Sequence, residues 1–422
     1  MLMTIAAPQL NKAGLRFLFS HRLLTRFATV GDQMLVAVAN FWLTISIGRA
    51  FGAEEVAAYG IGLSAGLMIQ ALQRHAIIIP LMLQPPARIA RRRGGIFAQH
   101  CLVLGCIVLC ALGVLTLSWL GGISRFGFLI AGASAVCLLV YAELEFARAV
   151  LVKLNRTSFL FGSAAWYALV SGALAWAAPH RLLSFDGLLA ALAAGLLIHA
   201  AALFGLAGRF SLWEGGRLLA ADIKRYGGWA VVATLTYSGY NHLPLFVLGA
   251  LASPIHAAAF VATRSLMQPL QILLRGLDIA DKAMFAERAG APQSRGALRL
   301  TIKLAVVYAM AAGVFGSIAC LFADDLIDLA YGGKFSGFSP ALIAWVPAYA
   351  LLSVSLPFES LVYARQVFRS YYLVRGIGSA AAVALTVPLM PWAEVGAIAA
   401  CSIGSLIAMA GTVFILLQKP SQ

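Results

Sequence analysis

Charge is what this chain has least of. Asp, Glu, Lys and Arg make up 11% of its 422 residues while hydrophobic residues make up 61%, against about half apolar in soluble domains. Too few polar side chains remain to cover a water-facing surface, which excludes a soluble globular fold. Acids are scarcer still, 16 against 31 Lys and Arg, for a formal charge of +15. Cysteine is also rare. Cys101, Cys106, Cys110, Cys137, Cys320 and Cys401 all fall in apolar stretches with no Cys-x-x-Cys or His pairing, so no zinc or redox motif is present and they read as packing residues. A Walker A loop, a His-Glu-x-x-His motif and any sizeable soluble segment are missing as well. The chain is read as a non-enzyme without cofactor or metal.

What it does have is long apolar runs. A helix needs about 20 apolar residues to cross a hydrocarbon core ~30 Å thick. Stretches of that kind recur at 28–49, 56–83, 96–120, 127–147, 157–178, 185–208, 228–250, 255–281, 300–323, 340–363, 371–391 and 394–417. The expected fold is all-α and polytopic, with twelve transmembrane helices. Residues 1–27 form a basic amphipathic N-terminus without a small-residue cleavage site. Six spans at 28–208 form an N-lobe, 209–227 a polar connector, six spans at 228–417 a C-lobe, and 418–422 a tail.

Basic loops resist translocation, so their placement sets orientation. Alternate loops hold 23 of the 31 basic residues, among them Arg91, Arg92 and Arg93, Arg217 and Lys224, and Arg365, Arg369 and Arg375. Both termini are therefore expected in the cytoplasm. The opposite loops carry Glu54, Glu55, Asp324, Asp325, Asp328 and Glu394. The net charge is thus mainly topology, with attraction to anionic membrane lipids as a second effect. Nucleic acid is not an expected partner, because no soluble domain carries a reading surface.

A shift of 201 residues aligns the two halves: Asn40 falls on Asn241, Gln70 on Gln271 and Arg74 on Arg275. Such scarce residues in one register indicate a duplicated six-helix unit, parallel because six is even. Within the eighth span, Arg264, Gln268, Gln271, Arg275 and Asp278 fall on one stripe about 80° wide. A charge at the bilayer centre costs about 2.5 to 3.5 kcal/mol even on the lenient scale, so the stripe should face protein or water. Arg74 and Arg275 can instead snorkel to the interface. Arg264 lies roughly nine residues, about 13 Å, from the span's outer end, too deep for that. Pro269 should kink the helix. The candidate cavity residues are Arg264, Arg275, Arg74, Gln268, Gln271, Gln70, Asn40 and Asn241.

Asp32, Glu143 and Asp278 are candidate ion-coupling residues, for a proton or Na+. Asp32 has a second reading as an interfacial partner of Arg26. Glu145 and Arg148, three apart, should pair, while Glu143 has no local partner. His75, His199 and His242 read as hydrogen-bonded.

Three stretches resemble the multidrug/oligosaccharidyl-lipid/polysaccharide (MOP) exporter superfamily, within it the polysaccharide-repeat-unit flippases of bacterial inner membranes. They are VANFWLTISIGRAFGAEEVAAYGIGLS (38–64), CLFADDLIDLAYGGKFSGFSPALIAWVPAYALL (320–352) and EVGAIAACSIGSLIAMAGTVFILL (394–417). The resemblance implies two six-helix lobes in a V around a central cavity that opens alternately to each side. In the flippase branch it implies a cationic cavity and an oligosaccharide cargo on undecaprenyl diphosphate, with a polysaccharide polymerase and glycosyltransferases as partners. Lipid II flippases carry two further spans. Arginines suit diphosphate oxygens, and Gln and Asn suit sugar hydroxyls. An ion-coupled multidrug antiporter of the same superfamily is the alternative, and a membrane polymerase or ligase a third, though the longest outer loop, about 324–338, offers little for catalysis.

Overall fold

The computed structural model describes residues 12–82, 84–274, 285, 295–365 and 367–418, and their regular structure is helical with no strand. In chain order the helices are α1 (Lys12–Ala50), α2 (Ala53–Gln73), α3 (Ile79–Met82), α4 (Pro86–Leu120), α5 (Arg125–Lys153), α6 (Thr157–Ala177), α7 (Phe185–Phe204) and α8 (Leu212–Asp222). There follow α9 (Gly228–Leu251), α10 (Pro254–Leu266), α11 (Arg295–Leu321), α12 (Ala323–Tyr331), α13 (Ser339–Arg365), α14 (Phe368–Thr386) and α15 (Ala393–Gln418). Single π-helical turns at Arg74–Ile78 and Ile223–Gly227 join α2 to α3 and α8 to α9. Helix starts follow local chemistry: Ser124, Ser184 and Ser211 accept backbone N–H bonds at the N-termini of α5, α7 and α8, as N-cap serines do. Pro86 and Pro254 open α4 and α10, where a missing N–H costs nothing.

Helices occupy all twelve predicted stretches over their described residues. Eight are long and apolar enough to cross a bilayer. Others are less regular than expected. The eighth stretch breaks at Met267, whose N–H turns back to the Arg264 carbonyl, and helix resumes over 268–274. Pro269 cannot donate to the Ser265 carbonyl, so the expected kink takes the form of an interruption two residues upstream.

The halves repeat in packing as in sequence. In the first, α1 lies on α6, and α5 touches α2, α4 and α7; in the second, α9 lies on α14, and α13 touches α10, α11 and α15. Each relation is carried onto its counterpart by a shift of six spans. The largest apolar core runs through both halves, taking in Val56, Tyr59 and Ile61 of α2 with Phe260 and Val261 of α10. A smaller cluster of Ala76, Ile77 and Ala230 joins the halves at the opposite end.

Outward faces are apolar. On α4, Leu109, Leu112, Leu117, Trp119 and Leu120 are all more than half exposed, a continuous patch that only lipid or protein could cover. This corrects the reading of the cysteines: Cys137 and Cys401 are packed inside, but Cys106, Cys110 and Cys320 are exposed on such faces. Apolar surroundings do not separate core from lipid in a sequence this hydrophobic.

Candidate functional site

The polar side chains of the first half gather around α5, on two of its sides. Glu145 is the hub of the first group. Arg74 donates to both its carboxylate oxygens, at 2.6 and 2.8 Å, and Gln70 to one at 3.0 Å. Arg148, one turn on, reaches Glu145 at 3.1 Å and also donates to Asp32 of α1. The predicted pairing of Glu145 with Arg148 is thus present, within a larger network. Asp32 meets Arg148, and Arg74 is held by Glu145 instead of standing alone. Two arginines and two acids leave this group with no net charge. The geometry is bidentate on the Arg74 side, which fixes both the guanidinium and α2 against α5.

Two residues away, Glu143 points to the opposite side of α5. There His100 of α4 meets one oxygen at 2.6 Å and His199 of α7 approaches the other at 3.3 Å. Its partners lie 43 and 56 residues from it in the chain, which is why no local pattern disclosed them. His199 also bonds Ser163 at 2.6 Å. Further along α1, Asn40 accepts from the Tyr167 hydroxyl at 2.5 Å. His75 bonds the Ala71 carbonyl in its own helix at 2.7 Å.

In the second half, Arg264 is half-buried between helices. Its guanidinium is 3.4 Å from His242 of α9 and 5.7 Å from the Trp345 ring of α13, and its carbonyl accepts from the Tyr349 hydroxyl. No carboxylate pairs with it among the described residues. The guanidinium thus sits between α9 and α13, contacted by imidazole and indole. Gln268 and Gln271 are half-buried on 268–274, and Asn241 is half-buried on α9. Arg275 and Asp278 lie outside the described residues.

Arg375 is a correction. Its sequence neighbours place it among the loop arginines, yet it is 7% exposed within α14. It donates to Glu359 of α13 at 3.0 Å and to the hydroxyls of Tyr371 and Tyr240. A small, partly open pocket lies beside it, lined in part by Tyr240, Ser355, Tyr371 and Thr412. The signal was available: Arg375 and Glu359 both fall inside predicted apolar spans, where two opposite charges are each other's best partner.

The halves meet tightly at the end where α1 passes into α2. Arg49 donates to the carbonyls of Leu329 and Ala330, and Lys334 to that of Phe51 at 3.0 Å. The buried Tyr331 lies against Gly48, where an added Cβ would come within 2.5 Å of its ring. Its hydroxyl donates to the Ala262 carbonyl at 2.9 Å. Gly60 of α2 is likewise pressed on Val261 of α10 too closely for any side chain. The loop first weighed as a place for catalysis is thus α12 and a turn docked on α1. A Gly-x-Ser-x-Gly stretch at 62–66 lies mid-helix in α2 with Ser64 buried, not on the strand-to-helix turn of a hydrolase.

No family model and no curated protein matches the sequence. Solved structures do match the fold. The lipid II flippase MurJ, in an inward closed conformation, superposes with a TM-score of 0.68 at 12% identity, covering 94% of this chain and 88% of its own. An inward-facing multidrug-resistance MATE family transporter of the MOP superfamily gives 0.61 at 14%, covering 92% and 97%. A MOP superfamily transporter from Pyrococcus furiosus, characterised by a binding pocket of reversed polarity, gives 0.54 at 13%, covering 93% and 94%. The chain thus shares the fold of these three proteins. Its neighbours are transporters and flippases, not enzymes.

Proposed function

We propose that the protein is a flippase that moves an oligosaccharide repeat unit, linked to undecaprenyl diphosphate, across a bacterial inner membrane for surface or exopolysaccharide synthesis. The observation that carries this reading is Arg264, a half-buried guanidinium between helices with no acid beside it among the described residues. A diphosphate supplies the missing negative charge and the paired oxygens that Arg bonds best. Gln268 and Gln271, with Asn241 of α9, are offered for sugar hydroxyls, and Arg275 falls on the same stripe of the sequence. Both termini are cytoplasmic in this reading, so the seal between Arg49, Tyr331 and α12 closes the outer face, and the cargo enters from the inner one. Polysaccharide polymerase and glycosyltransferases act after and before it.

The multidrug antiporter reading draws on the MATE neighbours and on Asp32. A lipophilic cation needs a free carboxylate, and Asp32 is held by Arg148. The test is export: Arg264→Ala should abolish surface polysaccharide while the protein still inserts. Normal export from Arg264→Ala, Arg275→Ala and the double variant rules the cationic pathway out. Altered drug resistance with unchanged polysaccharide in a deletion strain selects the antiporter instead.

A further inference from the structure

Three acids are buried in the first half, and their partners differ. Asp32 and Glu145 are held by arginines, which stay charged at any physiological pH. Glu143 is held by two imidazoles, groups that gain and lose protons near neutrality. Glu143, His100 and His199 are 2%, 5% and 7% exposed, so water does not screen them.

The hydrogen bonds accommodate neutral rings and show where a further proton would go. The Gln73 amide lies 3.4 Å from His100 Nδ1. Donating there, it leaves Nε2–H to bond Glu143 at 2.6 Å. Ser163, donating to His199 Nε2, leaves Nδ1–H turned to the other Glu143 oxygen, though at 3.3 Å and off-line. With both rings neutral the cluster carries the single negative charge of Glu143, and one proton makes it neutral. Gln73 Oε1 is buried without a hydrogen-bond partner. A flip of that amide would present it to His100 Nδ1–H, so the acceptor needed by a doubly protonated ring is already in place. His100 is stacked on Phe146 with ring centroids 3.9 Å apart, which holds its plane fixed.

Other titratable or charged groups come from each element around α5. Cys101 lies on α4 beside His100, Arg74 and His75 on the π-helical turn, Asp32 on α1 and Tyr167 on α6. Arg74 and Asp32 are taken up by Glu145 and Arg148 on the opposite side of α5, Tyr167 bonds Asn40 and His75 bonds its own helix. Among the described residues no guanidinium forms an ion pair with Glu143.

We propose that Glu143, His100 and His199 form a proton-binding site that couples proton movement to the conformational cycle of the first half. The coupling role rests on the transporter reading above; the binding site itself does not. A proton fits better than an alkali cation, since both oxygens of Glu143 already face ring nitrogens, poor ligands for a hard ion. The cluster ties α4, α5 and α7 directly, α6 through Ser163 and α2 through Gln73. Gln73 immediately precedes Arg74, so reorienting its amide acts on the end of α2 that Glu145 holds.

The test follows the histidine ring signals of the purified full-length chain, labelled with 13C-histidine in lipid nanodiscs, from roughly pH 5 to 8. His100 and His199, assigned by His100→Asn and His199→Asn, should titrate as a linked pair, and Glu143→Gln should move both midpoints to lower pH. His199→Asn should shift the His100 midpoint, which provides a second readout if Glu143→Gln folds poorly. Rings that do not titrate in this range, or midpoints unchanged by Glu143→Gln, overturn the site. In cells, collapsing the proton gradient should reduce export by the wild type; export indifferent to it overturns the coupling. A deletion strain with unaltered polysaccharide would instead defeat the cargo assignment, leaving the titration to stand or fall by itself.

Discussion

At the scale of residues, charge compensation separates structural from functional groups. Arg148 is 13% exposed at its side chain and bridges Asp32 and Glu145. Replacing it with Met leaves the buried Asp32 carboxylate unpaired, while Arg74 still holds Glu145, a cost of about 3–5 kcal/mol. Thermal unfolding of Arg148→Met in detergent should show a clear drop in midpoint; an unchanged midpoint would mean the network contributes nothing. Arg264 makes no comparable pair, so Arg264→Ala should scarcely alter that midpoint. It should weaken binding of an undecaprenyl diphosphate probe by about 10- to 100-fold, the loss of a charge-assisted bond worth ~1.5–3 kcal/mol. Trp345, 5.7 Å from the guanidinium, gives a fluorescence signal for that titration, and equal affinity in the variant would contradict the assignment. That Arg264 faces other helices was legible from spacing, and the structure places it between α9 and α13. The compensation of Arg74 was not, because Glu145 lies 71 residues away in the chain and periodicity reports only which face a residue occupies. Arg375 was misread because basic residues near span ends look alike whether they snorkel or pair.

Among the elements, helix content and the break near Pro269 follow from apolar run length and proline chemistry, and both were readable. The seal between halves was not. It depends on Gly48 and Gly60 accepting Tyr331 and Val261 at distances no side chain permits, and glycine in a membrane helix looks the same wherever it packs. An alternating-access cycle must open this contact. Gly60→Trp should wedge α2 away from Val261, keep the contact from closing and stop polysaccharide export while the protein still inserts. Full export from Gly60→Trp would show that closing this contact is not part of the transport cycle.

For the whole molecule, the repeated packing of α1 on α6 and α9 on α14 matches the 201-residue register of scarce polar residues. The duplicated plan was therefore visible in the sequence, though the break at Met267, just after α10, makes the second copy less regular. The two copies differ in charge. The first neutralises its arginines and sets a carboxylate between imidazoles, while the second leaves Arg264 without an acid among the described residues. In the function proposed above, the first half would respond to a coupling ion and the second would hold an anionic cargo. The most direct measurement is the lipid-linked sugar content of cells in which the wild-type gene is shut off and Arg264→Ala is supplied in its place. A diphosphate-linked oligosaccharide should build up on the cytoplasmic face of the inner membrane, as in cells with no protein at all; normal lipid-linked sugar levels with normal surface polysaccharide would contradict a cargo held by Arg264.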